Sequence, residues 1–539
     1  MSKKSVFLGL SLTAALTTAA LAPSVFAEPP SGAAGNLVAP GRETPPEKPA
    51  GEPGGAPGQA PGESANVEHS GVMTIAEDTA TDGQTYESVN NSENAILMTG
   101  GVANLANPVI KKTGSADGDN ADFYGTNAAV FVSGGTMNIT GGTVTTDGAH
   151  ANGVFAYGEG IINISNANIK TSANNSGALM VTGGGTLTAT YVSATTDGNS
   201  SAPIRSDRGG GTMNIENGAY TSNGMGSPVI YSTANVNVKD AALESTASEG
   251  VVIEGKNSVK LSNTKLVANN TTLNGQSETY KTIFIYQSMS GDADEGVGNF
   301  IAENSDITTK NGDTFFVTNT TAEINLKNNN IVNESGDFIR IQAGKWGNTG
   351  TNGGQVVLTA TDQEIRGGIV VDNISALSIS LAGDSYYKGI INGANTAQTL
   401  SITLSKDAVI VLDGDSYISS LSNEDTENKN IYANGHKLYV AGEEAKINSE
   451  TPPEGRKNQT AGATTSETTK EEVKEVDDHS TLGFIIAAAA SFLVLVFGGI
   501  IIASCAKKCR KEPNPSGNDL DADLSGMENS GQEEGPDGQ

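Results

Sequence analysis

The strongest constraint on this fold is a set of apolar positions that recurs about every two dozen residues between Val130 and Leu266. The first column of the pattern contains Val130, Val154, Leu179, Ile204, Val229 and Val252. Three further columns run in parallel with it, beginning at Met137, Ile139 and Val144. A constant period of this length indicates a repeat architecture, in which each unit buries its apolar face only by stacking on its neighbours.

Within each block, apolar residues alternate with Thr, Asn, Ser or Lys, as in Thr136-Met137-Asn138-Ile139-Thr140. This period of two predicts strands with one buried face, and helix is not expected in these blocks. Short strands repeated in the same order predict an all-β fold, a single-stranded parallel β-helix solenoid in which each strand pairs with its copy one coil along. A β-sandwich or a propeller is the alternative, although antiparallel strands need no such matched columns.

The solenoid is predicted to span residues 67–448 and to contain about fifteen coils at this period. Excursions at 269–281 and 288–298 should leave the coil as loops, and segments near 72–75 and 431–440 should cap its ends. Further strands are predicted at 283–286, 315–317, 338–341, 356–358, 369–371, 377–381, 400–404 and 409–412.

The flanking segments predict a membrane-anchored surface protein. Residues 1–27 resemble a secretory signal, and 28–66 are a Pro/Gly-rich linker that we expect to be disordered. Residues 449–480 form a Thr/Ser/Glu-rich stalk, 481–506 a transmembrane helix and 507–539 an acidic cytoplasmic tail. The basic residues directly after the apolar run predict a single-pass, type I plasma-membrane protein with the solenoid outside the cell.

Charge and cysteine content narrow the function classes. The chain has 61 acidic and 32 basic residues, a net charge of -29, which argues against a nucleic-acid partner. The only cysteines, Cys505 and Cys509, lie at the predicted inner edge of the membrane, so no disulfide is available to the predicted ectodomain.

A candidate contact surface follows from strand alternation. If the first column points inward, a neighbouring row points outward, and exposed apolar stripes usually mark contact surfaces. The opposite parity would bury an arginine, which is costly. The alternative is that long loops fold over the stripe. The row contains Phe131, Phe155, Met180, Arg205 and Ile230, and the candidate ligand contacts also include Tyr157, Asp207 and Arg208.

The sequence contains few candidate residues for catalysis or for metal binding. The four histidines are isolated in the sequence, and solvated side chains are the better interpretation of each. One dense cluster fits a lyase with an arginine base, and it consists of Arg205, Asp207 and Arg208. Structural ion pairing explains this cluster equally well or better. Two acidic loops offer hard oxygen donors for Ca2+, although neither matches a known calcium loop, and solvated loops are the alternative. The candidate ligands are Asp117, Asp119 and Asp122 in one loop and Asp292, Asp294 and Glu295 in the other.

Three stretches within the coils carry a family resemblance: residues 204–211 (IRSDRGGG), 251–257 (VVIEGKN) and 285–292 (IYQSMSGD). They resemble adhesin-like bacterial surface proteins of the right-handed parallel β-helix, pectate-lyase-like superfamily. The resemblance implies a right-handed coil. It implies function less directly, because that superfamily includes both polysaccharide-cleaving enzymes and non-catalytic binders.

We therefore expect a non-catalytic adhesin or interaction scaffold without a required cofactor. Its partners would be host or microbial surface glycans or proteins, and one helix would hold it in the membrane. A membrane-tethered polysaccharide lyase or glycoside hydrolase is the alternative.

Overall fold

A computed structural model of the chain describes residues 67–273, 279–288 and 290–456. Its strands and one helix follow in chain order. The first part contains β1 (Gly71–Ile75), β2 (Thr79–Asp82), β3 (Thr85–Ser88), β4 (Asn94–Met98), β5 (Val102–Ala106), β6 (Val109–Lys112), α1 (Asp119–Tyr124), β7 (Val130–Val132), β8 (Thr136–Thr140), β9 (Thr143–Thr146), β10 (Val154–Tyr157), β11 (Ile161–Ser165), β12 (Asn168–Thr171), β13 (Leu179–Thr182), β14 (Gly185–Thr190) and β15 (Ser193–Thr196). The middle part contains β16 (Ile204–Ser206), β17 (Gly211–Glu216), β18 (Ala219–Ser222), β19 (Ile230–Ser232), β20 (Asn235–Lys239), β21 (Ala242–Ser245), β22 (Val251–Glu254), β23 (Ser258–Ser262), β24 (Lys265–Asn269), β25 (Lys281–Tyr286), β26 (Val297–Glu303), β27 (Asp306–Asn311), β28 (Asp313–Thr318), β29 (Thr320–Lys327) and β30 (Asn330–Asn333). The last part contains β31 (Ile339–Ile341), β32 (Gly354–Thr361), β33 (Glu364–Arg366), β34 (Ile369–Val371), β35 (Ala376–Ala382), β36 (Tyr386–Gly389), β37 (Thr399–Leu404), β38 (Val409–Leu412), β39 (Ser416–Ile418), β40 (Ser420–Asn423), β41 (Ile431–Tyr432), β42 (Leu438–Val440) and β43 (Glu443–Glu444).

Three strands recur in each coil, and each joins its own parallel sheet. Sheet A has 12 strands, from β1 through β4 and β7 to β34, and sheet B has 14, from β2 to β40. Sheet C has ten strands, from β3 to β30, and sheets of four and three strands complete the last coils. Within the described ranges, only β42 and β43 pair in the antiparallel sense. The all-β parallel solenoid of about 15 turns predicted from the sequence is therefore confirmed.

The apolar columns form the core because each strand stacks in register on its copy one coil away. Met137 pairs with Ile162, which in turn pairs with Leu187. Val144 pairs with Ile169 in sheet C in the same way. All five side chains are at most 2% exposed. Three of the four predicted columns run unbroken through this core, which buries its apolar side chains along the whole length of the coil.

The first column is wrong from its fifth member. Ile204 pairs with Ile230 rather than Val229, and Ile230 pairs with Val251 rather than Val252. Ile230, predicted to point outward, therefore lies in the core at 0% exposure. Adjacent apolar residues at both places allow either parity in the sequence, and only pairing with the previous coil selects one.

The turns between sheets B and C repeat one backbone conformation. Asn166, Asn217 and Asn263 occupy it with positive φ, a conformation that Asn tolerates better than most residues. In later coils the side chain also binds the equivalent residue of its neighbour, as Asn328 does when its Nδ2 donates to Asn304 Oδ1 at 2.8 Å. These contacts hold the register of successive coils.

The eight strands predicted downstream of residue 280 are all present, with ends that differ by a few residues. The described residues of the two predicted excursions lie outside strands at 270–273, 279–280, 288 and 290–296, whereas β24, β25 and β26 include the ends of the predicted ranges. Beyond the predicted end of the solenoid, residues 449–456 fold back along its side. Tyr386 Oη donates to Pro453 O at 3.0 Å, and Arg456 pairs with Asp384 at 2.7 Å. The packed segment thus extends into the predicted stalk.

The signal at 1–27, the linker at 28–66, the rest of the stalk, the helix at 481–506 and the tail at 507–539 lie outside the described residues. No helix in the part of the chain that the structure describes is long and apolar enough to cross a membrane.

Candidate functional site

The predicted outward row exists, but it is covered. Leu97, Phe131, Phe155, Met180 and Arg205 pair in succession along the outer side of sheet A. All five are at most 7% exposed, and the first four form a second apolar cluster outside the coil. The prediction of an exposed stripe is therefore wrong, and the alternative of loops folded over it is correct.

The cover is the segment that carries α1, which the sequence pattern did not predict. Gly125 ends the helix with φ of 71°, and a Cβ there would lie 2.5 Å from the Phe131 ring. Only glycine can adopt this positive φ and also leave room for the Phe131 ring. Thr182 Oγ1 donates to Phe123 O at 2.7 Å and fixes the helix to the next coils. Tyr157, another candidate contact, is half-buried at the edge of this cover, 6.0 Å from Tyr124.

Two of the predicted calcium ligands hold the cover in place. Asp122 is a residue of α1 that is 1% exposed, and its Oδ1 lies 2.8 Å from His150 Nδ1. His150 Nε2 is 3.1 Å from Asn175 Nδ2 on the neighbouring turn. Asp119 pairs with Arg208 at 3.7 Å, whereas Asp117 is exposed.

Arg208 contacts both of the acidic loops predicted from the sequence, the one with Asp119 and the one with Asp292. Its Nε donates to Asp292 Oδ1 at 2.6 Å, and its guanidinium lies 4.0 Å from the centre of the Phe123 ring. The loop at 288–296 and the α1 segment thereby meet across the outer side of sheet A. The remaining two predicted ligands, Asp294 and Glu295, are exposed, and Asp294 pairs with Lys256 at 2.8 Å. Among the described residues no three His, Cys, Asp or Glu side chains are grouped to hold a metal ion.

Between these loops lies a cleft of about 180 Å3 over sheet A. Its floor contains the buried ion pair between Arg205 Nη2 and Asp207 Oδ2, 3.1 Å apart. Tyr286 and Trp346 supply aromatic surface, with ring centres 5.6 Å apart. Asp292 lies at its rim, so three charged residues predicted from the sequence line one cavity.

Glu254 is the centre of the polar network in this cleft. Its Oε2 accepts hydrogen bonds from Tyr231 Oη at 2.6 Å and from Tyr286 Oη at 2.9 Å. Its Oε1 accepts a hydrogen bond from the Ser288 hydroxyl. Three neutral donors thus surround a carboxyl that is only 1% exposed.

Burial controls protonation here. It raises the pKa of Asp207 to about 7, even though Arg205 opposes the shift. It also raises the pKa of Glu254 above its usual value, against the hydrogen bonds from Ser288 and Tyr231. Both carboxyls therefore hold a proton more readily than exposed ones.

A second, more polar cleft of about 460 Å3 adjoins the first. Gln287 lines this second cleft and Ser288 the first, while Gly347 lines the second and Trp346 the first. The loops that carry these residue pairs therefore separate two neighbouring cavities. Asn319, Asn348 and Gln355 give the second cavity amide groups that can donate and accept hydrogen bonds.

Four residues that line the first cleft were not predicted from the sequence: Tyr231, Glu254, Tyr286 and Trp346. The first two were missed because the predicted pairing was wrong by one residue from Val229 onward. In the observed pairing, Tyr231 and Glu254 face outward. The signal for Trp346 was its place as the single Trp of the chain, in a long excursion between strands.

Comparison with protein families, with curated proteins and with solved structures gives no match.

Proposed function

We propose that the chain is an adhesin-like, membrane-anchored surface protein whose solenoid binds glycans through the cleft over sheet A. The observation that carries this proposal is the cleft itself, in which Trp346 and Tyr286 offer aromatic surface beside buried polar groups. Sites for small ligands are typically concave, mostly apolar and fitted with a few placed polar groups.

The internal pairing of the charged side chains favours binding over lyase chemistry. Arg205 is the arginine that a lyase would use as its base, and it is buried beside Asp207. A base must reach the proton that it removes, and the ion pair occupies this guanidinium. The neighbouring cleft with its amide groups would extend the contact along a chain of sugar rings.

The surface location rests on the sequence at 1–27 and 481–506, and the right-handed coil on the resemblance to the pectate-lyase-like superfamily. Right-handed crossovers between parallel strands are also the general rule. Protease added to intact cells should remove the solenoid and leave the carboxyl-terminal tail. A protected solenoid would contradict the surface location.

The full-length protein should be tested on an array of neutral, cationic and anionic glycans. We expect binding to a subset, and Trp346→Ala should weaken it by about tenfold or more because stacking surface is lost. Tyr191→Asn is the matched control, since Tyr191 is an aromatic residue, 61% exposed, outside both clefts. Absence of binding to every glycan, or equal binding by the Trp346 variant, would contradict the proposal.

A glycoside hydrolase is the second candidate, and the raised pKa values of Asp207 and Glu254 favour it. A carboxyl that keeps its proton near neutral pH can act as a general acid. Incubation of the full-length protein with the same glycans should then produce new reducing ends, and Asp207→Asn or Glu254→Gln should abolish them. Binding without turnover would leave the adhesin proposal in place.

A further inference from the structure

We infer that the cleft over sheet A selects a glycan that carries a protonated amine, an amino sugar without its N-acetyl group. The inference rests on the proposed function and specifies its ligand. It begins with the residues that line the cleft, where the acids Asp207, Glu254 and Asp292 outnumber the one basic lining residue, Arg205.

Two of the three carboxylates already have cationic partners. Asp207 pairs with Arg205 at 3.1 Å, and Asp292 pairs with Arg208 at 2.6 Å. Within the described ranges, the groups that bind the Glu254 carboxyl are hydroxyls. Burial raises the pKa of this carboxyl, and a cation beside it would favour the ionised form, so an amine that enters the cleft can form a new ion pair with Glu254.

The aromatic residues favour the same kind of ligand. Tyr286 and Trp346 both line the cleft, and an aromatic ring attracts a cation placed over its face. Sugar rings also pack their apolar faces on aromatic rings, which a free metal ion cannot do.

The same charges disfavour uronic acids. A carboxylate sugar placed in this cleft would approach Asp292, while Arg205, the basic residue of the lining, is already paired with Asp207. Like charges at close range repel strongly where water is partly excluded. The cleft should therefore discriminate by ligand charge in the order cationic, neutral, anionic.

Three tetrasaccharides would test this on the full-length protein by calorimetry: one of glucosamine, one of N-acetylglucosamine and one of galacturonic acid. We expect the glucosamine form to bind at least about tenfold more tightly than the acetylated form, because a hydrogen bond between an ammonium group and a carboxylate is roughly twice as strong as one between neutral groups. Galacturonate should bind most weakly. This comparison needs no variant, so folding defects cannot confuse it.

Glu254→Gln should then remove the preference for the free amine, while Glu323→Gln, an exposed acid on sheet B, should keep it. Equal binding of the acetylated and free forms, tighter binding of galacturonate, or no binding of any of the three would overturn the inference. If other glycans on the array still depend on Trp346, the proposed function survives that failure. If none binds, both are wrong.

Discussion

Phe155 provides the sharpest test of how this molecule is built. Strand alternation alone makes it an outward-facing residue on a contact stripe, whereas the structure places it under α1 at 0% exposure. Its ring centre is 5.8 Å from that of Phe131, and the Cβ position of Gly125 lies 3.1 Å from its Cδ1. Truncation to Ala would leave a cavity beneath the helix.

Phe→Ala changes at fully buried sites cost about 3–5 kcal/mol, because apolar burial is lost and the cavity closes only in part. An exposed side chain would cost no more than about 0.5 kcal/mol. The two interpretations of Phe155 therefore differ by roughly 3 kcal/mol. That difference corresponds to a factor of at least about 100 in the local opening constant.

Hydrogen exchange read by mass spectrometry is the suitable assay. A long repeat array need not unfold in one step, so a single denaturation midpoint can dilute a local effect. In Phe155→Ala we expect peptides that contain α1 and β10 to exchange at least about 100-fold faster. Val357→Ala, at a position 48% exposed, serves as the control. Acceleration of less than about tenfold would refute the covered arrangement.

Three further predictions concern local stability, each measured by the same hydrogen-exchange assay on peptides that contain the changed residue. Tyr191 is exposed and has φ of 54°, so Tyr191→Asn should stabilise by about 0.5–1 kcal/mol, and any loss would contradict this. Lys281→Met should lower the free energy of unfolding by about 3–5 kcal/mol, because it leaves the buried Glu249 carboxylate, now 3.1 Å from Lys281 Nζ, without its cation. Adding Glu249→Gln should restore most of the lost stability. Burial raises the pKa of Asp207 to about 7, above its unfolded value, so its contribution is full below about pH 4 and is lost as pH rises through about 7. Asp207→Asn should flatten the pH dependence of the local opening free energy in that window, and an unchanged profile would contradict the assignment.

Much of the fold follows from local patterning. Alternation at Met137 and Ile139, repeated one coil later at Ile162 and Ile164, fixes which face is buried and which strands pair. Where two apolar residues are adjacent, as at Val229 and Ile230, alternation cannot select the parity. The pairing with Ile204 decides it, and that is a contact between residues in different coils.

The candidate site was only partly visible in the sequence. Arg205, Asp207 and Arg208 were found as a dense charged cluster, and the structure places them at one cleft. Their partners come from excursions far along the chain, such as Asp292, which lies 84 residues from Arg208. No spacing rule connects such positions, because the path of a loop outside the coil is set by what it packs against.

The sequence by itself determined that this chain winds into a parallel β-solenoid, because a repeated strand pattern can bury its apolar face only by stacking on its copies. The tertiary structure alone decided that the outer row of sheet A lies beneath α1 and that Glu254 lies at the centre of a cleft with Trp346. The physical reason is the sequence separation of the contacts. Strand pairing follows the same residue pattern in every coil, whereas the cover and the cleft depend on single contacts between loops that are far apart in the sequence.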